Sequence, residues 1–418
     1  MNQPIPPATH PDGNRRERLS IAIVCYPTYG GSGVVATELG RCLAERGHEV
    51  HFVSYGLPFR LDQQAKNVFF HKVTTLNYPL FPGQLYTLGL ASKLADLADE
   101  REIDLIHCHY AIPHAMSALL AKEIARRPLR VVTTLHGTDI TLVGRDPSFY
   151  RVTRYAIESS DGTTAVSRYL AEETVRRFCC ECDIAVIHNF ADERVFFPPF
   201  APPPDFDPEE ERRQLEHLLN FPPGTPWILH VSNFRPLKNS IHTVDILHRL
   251  TQRGIEVGLV LIGDGIEMPR VLERIHQLGL EDRVRCIGAR DQPAAFYRHA
   301  TLFLLPSQSE SFGLAALEAM SCGTPVVVSR TGGLPEVVAE GETGFMVEPG
   351  DLEGFTEACT LLIEDPTLRR QLGERAYLHA RENFDRQAIV SRYEDYYLTL
   401  LGRETKTLRS GQAGAETG

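Results

Sequence analysis

The sequence predicts an α/β protein made of two doubly wound, parallel-sheet domains, with the functional site in the cleft between them. Three observations carry this. Apolar, β-branched runs alternate with segments of helical period, which demands crossover connections and parallel strands. The alternation stops at 191–226, a stretch dense in proline and acid, and then begins again. The chain has 418 residues, too many for one ordinary core and enough for two. In such sheets ligands bind beyond the carboxyl ends of the strands. The glycines and unusual polar residues of this chain gather there.

The first half, expected at 19–193, opens with the strand LSIAIVCY (19–26), and GVVATELGRCLAERG (33–47) follows with helical period and a terminal glycine. HEVHFVSYG, IDLIHCHY and LRVVTTLHG read as the next strands. The segment 194–226 reads as a proline-rich linker holding one short amphipathic helix. The second half, expected at 227–385, takes PWILHVSNF, VGLVLIG, RVRCIGA, ATLFLLPS and TPVVVSR as strands, with helices at 239–253, 267–278 and 313–322. Long helical segments follow at 351–382 and about 385–402. Residues 1–18 and 403–418 lack apolar periodicity and are expected to be disordered tails.

Hydrophobic residues make up 43% of the chain and charged residues 23%, the balance of a soluble enzyme. The net charge of −11 opposes broad binding to nucleic acid or anionic membrane. No apolar run reaches the roughly 18 residues of a membrane helix, and the start has no signal-peptide core. Nine cysteines in no disulfide-like framework suit a reducing cytoplasm. Cys179, Cys180 and Cys182 cluster without a second ligand group at zinc spacing, so no metal is expected. No cofactor is expected either.

The glycine turn YGGSG (29–33) allows close backbone approach at a helix start that attracts anions. Gly31, Gly33 and Ala36 also match a dinucleotide fingerprint, but the acid that should follow about 20 residues on is missing from HFVSYGLPFR. Arg235 and Lys238 follow the strand HVSNF, where two cations suit a diphosphate. Glu310 lies in the loop after ATLFLLPS, and Glu318 lies inside the next helix, so the two acids can flank one ligand. The N–H groups of Phe312, Gly313 and Leu314 can cradle a phosphate. His136, after LRVVTTL and beside Gly137, reads as a substrate contact. His107 and His109 could share a strand face, but nothing is spaced to complete a metal site. Asp205 and Asp207 form an Asp-x-Asp inside the linker, away from any strand end, and read as coincidence.

SESFGLAALEAM with Glu-x7-Glu, GDG, GGLPE and the Arg-x-x-Lys pair together resemble the retaining glycosyltransferases of family 4, over roughly residues 19–402. The resemblance implies the GT-B fold of two Rossmann-like domains, with the last helix, 386–402, packed back on the first domain. It implies a UDP-sugar donor. Glu318 would hold the ribose. Arg235 and Lys238 would meet the diphosphate with Gly31, Asn233 and the amides of Phe312–Leu314. Glu310 and His136 would contact sugar hydroxyls. Further stretches, CYPTYGGSGVVATELG, LPFRL, HYAIPHA, TTLHGTDIT and AIESSD, resemble family members that move N-acetylglucosamine from UDP-GlcNAc to the hydroxyl of L-malate, opening bacillithiol biosynthesis. That likeness implies a small dicarboxylate acceptor; the strand-end loops offer it Ser32, Tyr110 and Thr134, and Arg60 and Arg154 are the nearest cations matching the same pattern, with ordinary surface or inter-helix contacts as the alternative for both arginines. A different acceptor within the family, a hexosamine epimerase and a non-catalytic nucleotide-sugar sensor are the alternatives. Assembly as a homodimer is carried as an expectation only.

Overall fold

A computed structural model describes residues 18–28, 30–76 and 85–403. The expected tails lie outside the described residues, apart from Arg18 and Arg403. The first sheet holds β1 (Ser20–Val24), β2 (Glu49–Ser54), β3 (Val68–Lys72), β4 (Leu105–His109), β5 (Arg130–Leu135), β6 (Gly162–Ala165) and β7 (Ile184–Val186). The second holds β8 (Trp227–Val231), β9 (Gly258–Ile262), β10 (Val284–Gly288), β11 (Leu302–Leu305), β12 (Val326–Ser329) and β13 (Gly344–Val347).

The strand orders are β3-β2-β1-β4-β5-β6-β7 and β10-β9-β8-β11-β12-β13, and all neighbours run parallel. Both sheets therefore reverse direction at their centre, between β1 and β4 and between β8 and β11. A crevice opens at each reversal, and the two crevices face each other. The central strands are buried almost throughout, Ile21–Val24 in the first sheet and all of WILHV in the second. Helices cover both faces of a parallel sheet, so its strands read as continuous apolar runs.

The linker is not slack. Its helix, Pro208–Leu219, begins at Asp207, whose side chain accepts from the N–H groups of Glu209 and Glu210. Glu211 on that helix pairs with Arg298 at 2.6 Å, and the Arg298 guanidinium lies 3.9 Å from the ring of Phe197. The linker is thereby docked on the second domain. The single helix expected over 351–382 is two helices, Leu352–Glu364 and Pro366–Asn383. Pro366 has no N–H to continue the first, and Asp365 caps the second.

The last helix, Arg386–Leu400, lies on the first domain. Arg386 pairs with Glu193 at 2.7 Å, Arg46 pairs with Glu394, and the Tyr397 hydroxyl meets His107 Nδ1 at 2.7 Å. Two further contacts close the domains on each other. Ser167 Oγ donates to the Ser311 carbonyl at 2.6 Å. Glu336 accepts from the N–H groups of Arg168 and Tyr169, at 2.8 Å each, where a first-domain helix begins. Gly137, at φ +110°, sits so close to Ser311 that a Cβ would meet its Oγ at 1.6 Å.

Candidate active site

The facing crevices form one cleft of about 1120 Å³. That exceeds the roughly 300–1,000 Å³ of an ordinary small-molecule site, leaving space for a large ligand and a small one together. Each loop that lines it follows a strand. β1 leads to Gly31 and Ser32, β4 to Tyr110 and β5 to His136. Across the cleft, β8 leads to Asn233, Arg235 and Lys238, and β11 leads to Glu310 and the Phe312–Leu314 turn.

Lys238 Nζ lies 2.6 Å from Glu310 Oε1, and Ser307 Oγ donates to the same oxygen at 2.9 Å. The loop around Glu310 is locked from behind. Gly332, at φ +59°, lies where a Cβ would be 1.7 Å from the Glu310 carbonyl. Any other residue there would push the acid out of place. Arg235 is exposed at the cleft and no ion pair to it is recorded among the described residues. Gly313 ends its turn at φ +97°, and the helix Leu314–Ser321 starts there, so the N–H groups of Phe312, Gly313 and Leu314 have no intrahelical acceptor.

Glu318 is buried at 6% exposure. Tyr297 donates its hydroxyl to Glu318 Oε2 at 3.0 Å, and Arg60 Nη1 lies 3.5 Å from Oε1. Burial pushes the Glu318 carboxyl upward, opposed chiefly by Arg60. A carboxylate has about four lone-pair sites, so two hydroxyls of a ligand can still be accepted.

His136 Nε2 meets His109 Nδ1 at 2.9 Å, and burial pushes the His136 imidazole down to about 3, so it is neutral at working pH. Asp139 is 1% exposed and ties two strand ends together by accepting from the N–H groups of Gly137 at 2.9 Å and Ala111 at 3.1 Å. Burial raises its carboxyl to about 6.

Three expected acceptor residues are placed otherwise. Thr134 is fully buried, and its Oγ1 bonds to His107 and Thr164 at 2.7 Å each, beneath the last helix, whose Tyr397 bonds the same His107; it does not line the cleft. Arg154 stands on the outer face of the helix Pro147–Ser159 and pairs with Glu158 one turn on, at 2.8 Å. Arg60 does line the cleft, but its Nε donates to the Asp291 carbonyl at 2.7 Å and its guanidinium leans toward Glu318, on the other domain's side. Ser32 and Tyr110 face the cleft. The residues missed from the sequence include Arg145, exposed at the cleft with no ion pair recorded among the described residues. Arg145 ends a short 3-10 turn, Val143–Arg145, just before the helix start that the dipeptide Asp146-Pro147 marks, and that dipeptide was the available signal.

His107 has both ring nitrogens engaged, by the hydroxyls of Tyr397 and Thr134. Cys180 and Cys182 bring their sulfurs to 2.7 Å. Among the described residues no group of three or more His, Cys, Asp or Glu is gathered as a metal site.

Two family models match the chain, Glycosyltransferase Family 4 over 29–195 and Glycosyl transferases group 1 over 211–379. A relative from Bacillus anthracis, N-acetyl-alpha-D-glucosaminyl L-malate synthase, is 43% identical over 384 residues, covering 92% of this chain and 98% of its own. The chain belongs to glycosyltransferase family 4. This glycosyltransferase shares its fold with a sucrose-phosphate synthase from Thermosynechococcus elongatus, at TM-score 0.77 and 22% identity, covering 92% of this chain and all of that one. Anabaena HepE, solved with UDP and glucose, aligns at TM-score 0.77 and 22% identity over 91% of this chain and 99% of its own. Both are GT-B enzymes, so the expected fold class holds. No described helix of the glycosyltransferase is long and apolar enough to cross a membrane.

Proposed function

We propose that this glycosyltransferase moves N-acetylglucosamine from UDP-GlcNAc to the hydroxyl of L-malate with retention of configuration, the opening step of bacillithiol biosynthesis in the cytoplasm. The observation that carries this reading is the 43% identity to a malate synthase over nearly the full length of both chains. The cleft chemistry supports it.

Glu318 accepts the two ribose hydroxyls of the donor. Lys238, Arg235 and the amides of Gly31 and Phe312–Leu314 meet the diphosphate. Glu310, held through Oε1, keeps its other oxygen for a sugar hydroxyl, and His136 contacts a second. Malate carries two carboxylates, and burying them needs cations or several donors. Ser32, Tyr110 and Arg145 supply these on the first domain's side. The malate hydroxyl attacks C1 from the face that UDP leaves. The C1–O bond to phosphate breaks as the new C1–O bond forms, and the hydroxyl proton passes to the departing phosphate oxygen.

The test offers a panel of UDP-sugars with and without L-malate. Malate-dependent UDP release and an α-linked product by NMR are expected. Turnover of UDP-GlcNAc without acceptor would point to an epimerase, and UDP binding with no release to a sensor. A β-linked product, or a sugar covalently held on Glu310, would overturn front-side attack.

Two substitutions probe the two halves of the cleft. Glu318→Ala should weaken UDP binding by roughly 10- to 150-fold, since a hydrogen bond to a charged group is worth about 1.5–3 kcal/mol. Unchanged UDP affinity by calorimetry would remove Glu318 from the ribose. Arg145→Ala should raise the KM for malate by about tenfold or more for the same reason, with UDP affinity unchanged. Arg154→Ala should leave malate kinetics as they are.

A further inference from the structure

His136 faces the cleft, yet one of its ring nitrogens is already taken. Its Nε2 meets His109 Nδ1 at 2.9 Å, and the two rings stack with centroids 5.1 Å apart. His109 ends β4 and is fully buried. Its other nitrogen, Nε2, is buried with no hydrogen-bond partner. One of the two imidazoles must donate to the other. If His136 donated, the His109 proton would sit on Nε2, an N–H sealed away without an acceptor. If His109 donates, only a bare lone pair is left at that place. Orphaned buried N–H groups are the rarer of the two in proteins.

A neighbour shows which choice this interior makes. His114 Nδ1 lies 2.7 Å from the His109 carbonyl, which can only accept, so His114 carries its proton on Nδ1. Burial pushes His114 down to about 4, which keeps it neutral. Its Nε2 is therefore a bare lone pair, and it too is buried without a partner. The same cluster already leaves an imidazole lone pair unpaired, not an N–H.

We propose that His109 is a positioning residue that donates its Nδ1–H to His136 Nε2, fixing His136 as the Nδ1–H tautomer that points a single donor into the cleft. This rests on reading the cleft as the UDP-sugar site. The ligand atom it would serve is a hydroxyl oxygen of the transferred sugar. His136 then acts through a fixed donor, not through taking up a proton.

The tautomer can be read directly in the wild-type enzyme with UDP bound. Histidine-selective ¹⁵N labelling gives long-range ¹H–¹⁵N patterns for the 16 histidines, and His136→Gln identifies the signal by its loss. A protonated Nδ1 and bare Nε2 on His136 are expected, and the reverse overturns the proposal. His109→Asn keeps an N–H near the place of Nδ1, whereas His109→Leu removes it. His109→Leu should lower kcat by about tenfold, the upper range for one neutral hydrogen bond, with UDP affinity unchanged. His109→Asn should restore most of that loss. Wild-type kcat in His109→Leu, or no rescue by His109→Asn, overturns the proposal. Should His109→Leu fail to fold, the wild-type tautomer and His109→Asn still decide. Absence of any sugar transfer by the wild type would sink the functional reading and leave the tautomer to be judged by its own spectrum.

Discussion

Lys238→Ala is expected to lower kcat by at least about 100-fold, the equivalent of about 2.7 kcal/mol of transition-state stabilisation for one lost donor. On the proposed reading of the cleft two effects add. The departing UDP loses one of the cations that meet it. In addition Glu310, 8% exposed, loses the partner 2.6 Å away and stays as an uncompensated anion facing the leaving diphosphate. The second effect makes a separate forecast. Lys238→Ala combined with Glu310→Gln should lose less than the two single changes added together, because the glutamine removes the stranded charge. Full additivity would mean that Lys238 and Glu310 act apart. If Lys238, Arg235 and the helix-start amides meet the leaving group as proposed, activity should also persist in EDTA; loss with EDTA and recovery with Mg²⁺ would overturn that assignment of charge.

The second large effect is a loss of stability in weak acid. His107, His114, His136 and His230 are pushed by burial from 6.5 to between about 3 and about 4, and His109 well below its ordinary value. The unfolded chain takes up these protons near 6.5, while the folded chain refuses them until far lower. Their contribution is present above the unfolded value and drains away as the pH falls toward the folded ones. Between pH 6.5 and 5.5 each histidine costs about 1 kcal/mol. Asp139 works the other way, because its carboxyl is raised to about 6, and it offsets about one histidine. His107, His109, His114 and His136 alone then leave a net loss of about 3 kcal/mol, or about 6–12 °C in the melting of a domain this size. Melting temperatures at pH 7.5 and 5.5 that agree would show that the cluster is not held neutral.

The central strands were legible because burial on both faces writes them as unbroken apolar runs. β3, β7 and β13 were missed, and all three lie at or next to sheet edges with half-exposed residues, as in the pattern of Ile184–Val186. β6 reads GTTA, buried but hydroxyl-rich, so no apolar run marks it. In the site, Glu310, Lys238 and His136 reach the cleft because they follow strand ends directly, and Glu318 reaches it from the helix Leu314–Ser321 that starts at the cleft. Thr134 sits inside a strand, where the side that faces the cleft depends on register, and a single sequence does not carry that. Arg154 could have been set aside: Glu158 follows it by four residues, the spacing of an exposed helical pair. Arg60 went astray because a long side chain reaches across the cleft to a partner 258 positions away in the chain.

The returning helix has a consequence for how the molecule is made. Tyr393 and Tyr397, 2% and 0% exposed, are part of the first domain's interior, and Tyr397 fills the bond that His107 needs. Those residues are synthesised after the whole second domain. The first half to leave the ribosome is therefore the last to be sealed. It waits with a trough along its sheet while the second half, whose interior is contiguous in the chain, can settle ahead of it.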